Sequence, residues 1–310
     1  MIAGVHRCKL LVICVTLLLL VLVGCSQQQP VVRPPPKPAP FLTLQRQLAI
    51  LNARAAALAD LRATGSIALS YRGARGNQHQ FQANGTLLVD QTPALKDPLH
   101  QTAPDMLLVG TYLGQDAFEL GMNPAHYWMV NHQTKQAWVG SSPHAGTGRA
   151  PPGFMPIEPK RVLQMLAITG VYQTARQRAA MTAATRSSLN RIYIIHLGQN
   201  GHTWIRRILF FNRRSAEITA VLMFNRAGRS IAAASLRYYR PVAVRGQRPG
   251  PHAPQIPFRV DIWYPAAHAH LTLKLAHASL TLRVAPRFAF ALPRFSGLKV
   301  IRLGAPDGSR

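Results

Sequence analysis

Apolar side chains recur at every second position along most of this sequence, which is the spacing of a β-strand with one buried face. The clearest example lies near the C-terminal end, where residues 258–264 alternate in this way and a second run, residues 269–275, follows a short turn. This pair predicts a hairpin with one dry face and one wet face. The same spacing predicts further strands at residues 67–71, 81–89, 106–113, 116–121, 126–131, 136–140, 191–198, 203–212, 217–225, 230–239 and 280–284, with a last one within 288–303.

Three stretches favour helix instead. Residues 43–62 have the 3.6-residue period of an amphipathic helix, and Gly65 supplies the break after it. The apolar stripe of this helix consists of Leu44, Leu48, Leu51, Ala55 and Leu58. A second helix is predicted over residues 158–169, and the alanine-rich residues 173–186 predict another helical turn or two.

Together these elements predict a mainly β protein with helices, of the α+β class. Residues 141–157 and 241–256 are rich in Pro and Gly with His or Arg, and we expect them to be loops. A one-sided sheet must cover its apolar face, and a sheet of about 11–13 strands can do so by curling around the helices. The prediction is therefore a strongly curved antiparallel sheet that forms an incomplete barrel capped by helices.

The first 24 residues have the features of a secretory signal peptide. Basic residues precede an apolar run over residues 10–23, which is too short to cross a bilayer core of ~30 Å as a permanent helix. Residues 22–25, Leu-Val-Gly-Cys, resemble the lipobox of bacterial lipoproteins. That resemblance implies cleavage before Cys25 and acylation of Cys25, which would tie the protein to membrane lipid. The alternative is an ordinary signal anchor with a chance cysteine.

The segment after the predicted cleavage site has the composition of a tether. Residues 25–41 are polar and then rich in proline, so they favour an extended polyproline II conformation. Residues 42–310 then form one predicted domain, which contains no cysteine. By resemblance to proteobacterial lipoproteins, Ser26 after the acylated cysteine implies the outer membrane, facing the periplasm. The inner membrane and the cell surface remain open.

The chain is strongly basic, with 36 Lys and Arg residues against 10 Asp and Glu residues and a net charge of +26. Such a surface attracts polyanions such as phospholipid headgroups or phosphorylated lipopolysaccharide. We expect no nucleic-acid partner, because basic runs interleaved with aromatics are absent and a lipid anchor would place the protein where nucleic acid is scarce. Adaptation of exported proteins to an acidic habitat is the alternative explanation of the charge.

Several of these segments resemble the LolA/LolB-like group of outer-membrane lipoproteins and lipoprotein carriers. The resemblance rests on the lipobox, the helix before the first strand, the strand opening at residues 61–69, and the tail at residues 288–293 and 300–303. It implies a half-barrel that holds the acyl chains of lipids or lipoproteins.

No pattern in the sequence predicts catalysis, a metal site or a cofactor. Asp116 and Glu119 are separated by an odd offset, which places them on opposite faces of a strand. His268 and His270 share a strand face with a lysine, and we expect that face to be solvated, with a cross-strand contact to Asp261. The S-x-x-K pattern that begins at Ser296 lacks the partner motifs of penicillin-recognising enzymes.

Two functional hypotheses follow. The first is a non-enzymatic carrier, receptor or sensor that binds acyl chains in a cavity of several hundred Å³, the usual size of a ligand site. Its candidate ligand-binding residues are Phe118, Tyr127, Trp128, Trp138, Phe224, Ile262 and Leu273. The second is a structural or assembly lipoprotein whose barrel is packed solid and whose basic surface docks anionic envelope components.

Overall fold

Fourteen strands form most of the domain in the computed structural model, which describes residues 42–72, 76–96, 103–142, 157–183, 189–198, 201–250, 252–280 and 287–303. The predicted signal peptide, Cys25, the predicted tether through residue 41, most of the predicted loop at 141–157, and the predicted strand positions 282 and 284 lie outside these residues. The strands are β1 Asp60–Arg72, β2 Gln78–Asp90, β3 Asp105–Tyr112, β4 Gln115–Met122, β5 His126–Asn131, β6 Gln136–Ser141, β7 Gln177–Ala183, β8 Leu189–Leu197, β9 Thr203–Asn212, β10 Ile218–Phe224, β11 Ser230–Pro241, β12 Gln255–Tyr264, β13 Ala269–Leu280 and β14 Lys299–Leu303.

The helices in the described residues are short. They are α1 Leu44–Ala57, α2 Thr92–Lys96 and α3 Pro159–Met165, with 3-10 turns at Pro265–Ala267 and Arg287–Phe290. Thr43 caps α1, because its hydroxyl accepts a hydrogen bond from the Arg46 backbone N–H at 3.3 Å. None of the helices in these ranges has the length and apolar composition needed to cross a membrane.

All the strands belong to one curved, unclosed sheet. Its order is β14-β6-β5-β4-β3-β2-β1-β13-β12-β11-β10-β9-β8-β7. Every neighbouring pair is antiparallel except β14 and β6, which are parallel. The predicted fold class is confirmed, and the sheet has fourteen strands where the sequence indicated 11–13.

One of the additional strands replaces a predicted helix. The alanine-rich stretch 173–186 contains β7, which pairs with β8 from Gln177 to Ala183. Alanine favours helix in isolation, but the exposed edge of β8 offers backbone hydrogen bonds and apolar contacts that override this weak preference. The helical prediction is therefore wrong for these residues.

The boundaries of the first helix also differ from the prediction. α1 ends at Ala57, and the residues expected in its last turn begin β1. Gly65, expected to break the helix, lies inside β1 at a register shift against β13. A Cβ atom at this position would collide with the backbone carbonyl of Lys274, so the close approach of the two strands requires glycine here. α3 likewise ends at Met165, four residues earlier than predicted.

The main hydrophobic cluster lies on the face of the sheet that α1 and α3 cover, and we call this the inner face. Its largest fully buried strand residues include Ile67, Met106, Ile192, Leu209 and Phe211. A second, smaller cluster of Trp128, Val130 and Ala137 lies on the opposite, outer face of β5 and β6. Partly buried Phe295 and Leu298, from the segment before β14, cover it.

Candidate functional site

The cover of the inner face is fastened to itself by polar bonds. Asn52 in α1 donates to the Val171 carbonyl at 3.1 Å and accepts from the Val171 N–H at 2.7 Å. Arg54 donates to the Ala167 carbonyl at 2.8 Å. These bonds join α1, α3 and residues 166–171 into one unit, which we call the helical cap.

Gln91 links this cap to the end of β2. Its side-chain amide is buried and donates to the carbonyl oxygens of Leu58 at 3.1 Å, Ile168 at 3.2 Å and Ala55 at 3.4 Å. Because these carbonyls belong to both parts of the cap, Gln91 fixes the cap at the place where the chain passes from α1 into β1.

The contacts between the helical cap and the sheet are mainly apolar. The cap residues buried in the main cluster are Leu48, Leu51, Val162, Leu163, Met165, Leu166, Ile168 and Val171, and Leu58, which directly follows α1, is buried with them. Apolar contacts have no fixed direction, so another apolar group of similar size can replace them.

A cavity of about 100 Å³ lies at the border of the cap. Its walls come from Gln91 and α2, from α3, from residues 169–172, and from β7 and β9. The lining residues are Gln91, Ala94, Leu95, Pro104, Lys160, Leu163, Gln164, Thr169, Gly170, Tyr172, Gln177 and Arg207. The cavity is smaller than the several hundred Å³ that the acyl-binding hypothesis predicts, so the inner face is largely filled by the cap in this conformation.

Arg207 on β9 brings a charge into this wall. Only 6% of the residue is exposed, and burial, followed by the neighbouring Arg206, lowers the pKa of its guanidinium to about 10. Within the described ranges, no hydrogen bond or ion pair joins this guanidinium to another group. Arg206 is the additional residue of a β-bulge, since Arg207 pairs with Ile194 and Ile205 pairs with Ile195.

Lys160 in α3 brings a second cation to the same cavity. Burial and then the positive charge of Arg206 lower the pKa of its ammonium group, against the opposing effect of Glu158. The carboxylate of Glu158 is engaged by Arg161, with an N···O distance of 2.6 Å. The cavity therefore carries two desolvated cations, and Glu158, the acid that acts on Lys160, is already paired.

Most of the ligand-binding residues predicted from the sequence lie on the inner face. Trp138, Ile262 and Leu273 are buried in the main cluster, and Phe118 and Tyr127 are partly buried against it. Phe118 meets Phe81 edge-on, with ring centroids 5.3 Å apart. None of the predicted residues lines the cavity of about 100 Å³.

Two of the predicted residues lie elsewhere. Trp128 is fully buried on the outer face, where its ring covers Gly121 and its indole N–H donates to Glu119 Oε1 at 2.5 Å. A ligand on the inner face would not contact it. Phe224 ends β10 and lies outside the main cluster.

Arg207 was not predicted as a site residue from the sequence, although the alternation of residues in β9 indicates that it points inward. Arg207, Leu209 and Phe211 occupy alternate positions of one strand and therefore share a face. A cationic residue that shares a strand face with two buried apolar residues points into the core.

The outer face carries a basic recess of about 440 Å³ beneath the loop that was predicted at 241–256. Arg62, Arg245 and His277 are among its lining residues. The loop is held against the end of β13, since Arg245 N–H donates to the Leu280 carbonyl at 3.0 Å and Leu280 N–H donates to the Ala243 carbonyl at 2.8 Å.

The prediction that Asp116 and Glu119 lie on opposite faces is wrong, because a register shift in β4 pairs them with Thr111 and Val109, two residues of one face of β3. Asp261 accepts hydrogen bonds from Arg259 and Thr272, both at 2.9 Å, which confirms the expected cross-strand contact. Within the described residues, no three His, Cys, Asp or Glu side chains come together to hold a metal ion. Lys299 of the S-x-x-K pattern begins β14.

Solved structures with a similar fold cover about four fifths of the chain. A domain assigned to outer membrane lipoprotein sorting from Vibrio parahaemolyticus has 11% identity and a TM-score of 0.48, over 78% of this chain and 95% of its own. A LolA superfamily protein from Nitrosomonas europaea has 10% identity and a TM-score of 0.46, over 79% and 97%. A DUF1329 family protein from Desulfovibrio piger has 5% identity and a TM-score of 0.47, over 80% and 98%.

No family model matches the sequence, and no curated protein matches it either. The group named by the sequence resemblance is also represented among the similar structures.

Proposed function

We propose that this protein is a lipid-anchored envelope protein that binds acyl chains of lipids or lipoproteins on the inner face of its half-barrel, without catalysis. In this proposal Cys25 is acylated, the tether at 25–41 holds the domain away from the outer membrane, and the domain faces the periplasm. The lipobox resemblance supports the anchor.

One observation carries the binding role. The inner face of an unclosed sheet is apolar, and the helical cap that covers it is fastened to itself by hydrogen bonds but to the sheet mainly by apolar side chains. Each methylene moved from water to an apolar site contributes about 0.8 kcal/mol. An acyl chain can therefore replace the apolar contacts of the cap with the sheet, while the hydrogen bonds within the cap remain.

Native mass spectrometry of a soluble full chain tests this role. Cys25→Ser prevents acylation, and replacing residues 1–24 with a signal peptide that lacks a lipobox allows purification without detergent. We expect co-purifying lipid or uptake of added oleate, and intact mass would also show whether the replacement signal peptide has been removed. A ligand-free mass with no uptake of oleate would contradict acyl binding.

Distances between two spin labels test whether the cap moves when a ligand binds. After removal of the signal peptide, Cys25→Ser leaves no cysteine, so spin labels can be attached at Gln45→Cys on α1 and Gln80→Cys on β2, both exposed. Oleate should lengthen or broaden the distance distribution of this pair. A control pair at Gln80→Cys and Arg229→Cys, both outside the cap, should not change.

A second role is favoured by the small cavity and the basic recess. If the cap never leaves the sheet, the protein acts as a packed lipoprotein whose basic outer face docks anionic envelope components. The Cys25→Ser chain would then bind vesicles containing phosphatidylglycerol and not neutral vesicles, and it would take up no oleate.

A further inference from the structure

We propose that the cavity of about 100 Å³ is an anion subsite, in which Arg207 and Lys160 bind the carboxylate or phosphate group of a lipid ligand. This inference rests on the proposed acyl-binding function, because it assigns the place of the charged end of the same ligand.

The state of Arg207 carries the proposal. A buried charge is costly unless it is paired and hydrogen-bonded, and native cores rarely contain one without partners. Only 6% of Arg207 is exposed. The residue lines the cavity and has no partner among the described groups. A guanidinium binds carboxylate and phosphate oxygens through two parallel hydrogen bonds, so an oxyanion is the ligand that best satisfies it.

Lys160 adds a second positive charge to the site. It lines the cavity from the helical cap, whereas Arg207 lines it from the sheet, so the two cations belong to different walls of the same cavity. Glu158 does not neutralise the site, because Arg161 occupies its carboxylate. Gln164 and Thr169 add polar groups to the same wall.

The size of the cavity suits a headgroup and not a whole lipid. A volume of roughly 10–15 Å³ is enough for one water, so the cavity has room for several waters or one phosphate group. Its border with the helical cap lies next to the main apolar cluster, which includes the cavity-lining Leu163. An acyl chain under the cap could therefore extend from an anion held here.

Oleate and oleyl alcohol have the same hydrocarbon chain and differ in their end group, so comparing them measures the contribution of the charged end. In the Cys25→Ser full chain, we expect oleate to bind about 10- to 100-fold more tightly than oleyl alcohol, the range expected for hydrogen bonds to a charged group. Arg207→Met and Lys160→Met should each reduce this preference and leave the affinity for oleyl alcohol unchanged. The matched control Arg229→Gln removes an exposed arginine in a turn and should retain the preference.

The outcomes distinguish the two proposals. Equal affinity for oleate and oleyl alcohol would overturn the anion subsite and leave acyl binding standing. Protection of the protein by inorganic phosphate, with no binding of either ligand, would support a site for a free anion and overturn acyl binding. Binding of neither ligand and no effect of phosphate would overturn both.

Thermal melts provide a measurement that does not depend on a lipid. Arg207→Met should raise the Tm of the ligand-free protein by roughly 2–8 °C, because it removes an unpaired buried charge. Inorganic phosphate should raise the Tm of the parent and not that of the variant. A lower Tm for Arg207→Met, with no response of the parent to phosphate, would show that Arg207 only fills the core.

Discussion

Two desolvated ionisable groups, the partly buried Glu119 on the outer face and the buried Arg207 on the inner face, have opposite surroundings. Burial raises the pKa of Glu119, but its carboxylate accepts a hydrogen bond from Trp128, and the cluster around it is closed by Phe295 and Leu298. Arg207 is buried more deeply, faces a cavity, and has no partner among the described groups.

The difference separates a structural site from a binding site. A buried polar group that is satisfied within the protein contributes to a unique packing arrangement, and removing it costs stability. A buried polar group without a hydrogen-bond partner destabilises the ligand-free protein. Removing such a group should raise stability and weaken ligand binding. Stability and ligand preference should therefore respond in opposite ways at the two sites.

The largest expected effect is at the outer cluster. Trp128→Ala removes a fully buried ring and leaves a cavity, so the free energy of unfolding should fall by about 3–5 kcal/mol. Trp263→Ala, at a residue that is 41% exposed, should cost less than about 1 kcal/mol. Denaturant unfolding measures both. The comparison breaks if Trp128→Ala also removes the preference for oleate over oleyl alcohol.

A smaller effect is expected for a satisfied polar group in the cavity wall itself. Gln91→Leu deletes the amide that serves three buried carbonyls, so unfolding should become easier by roughly 1–3 kcal/mol. The exposed Gln80→Leu is the matched control. A stabilised Gln91→Leu, like the rise expected for Arg207→Met, would show that partners do not decide the sign of the effect.

The smallest effect concerns the pH dependence of Glu119. Its folded pKa is raised above the ordinary value of 4.5, so its contribution to stability is present below that pH and is lost as pH rises through the folded pKa. Glu119→Gln keeps an oxygen that can accept from Trp128 but cannot ionise. Its Tm should exceed that of the parent by a few degrees at pH 7 and converge with it near pH 4. A constant difference across this range would exclude ionisation of Glu119 as the cause.

The strands were largely predictable because one buried face imposes a period of two on the sequence. The pair 258–264 and 269–275 lies within β12 and β13, and the segments from 106 to 140 correspond to β3 through β6. The predictions failed where pairing with a neighbouring strand, and not the local preference of the residues, determines the secondary structure. β7 forms because β8 offers an edge, and β14 pairs in parallel with β6, a partner about 160 residues earlier that no local pattern identifies.

The site was less predictable than the fold. Tyr127 and Trp128 were nominated together, yet adjacent strand residues must face opposite sides of the sheet, and they do. The sequence also cannot show that Arg207 lacks a partner, because this depends on which residues of α3, β7 and β9 meet across the cavity. Alternation with Leu209 and Phe211 was enough to place Arg207 inward, but only the three-dimensional structure gives its surroundings.

The order of the sheet has a consequence for how a new chain can mature. β1 lies beside β13 in the middle of the sheet, and this pairing joins the run β2–β6 to the run β7–β12. Until residues 269–280 have paired, both β1 and β12 have an unpaired edge that can pair with another chain. Chains in which β13 has not yet joined the sheet should therefore be the most prone to aggregation, and a chaperone that shields β1 would have to stay until β13 displaces it.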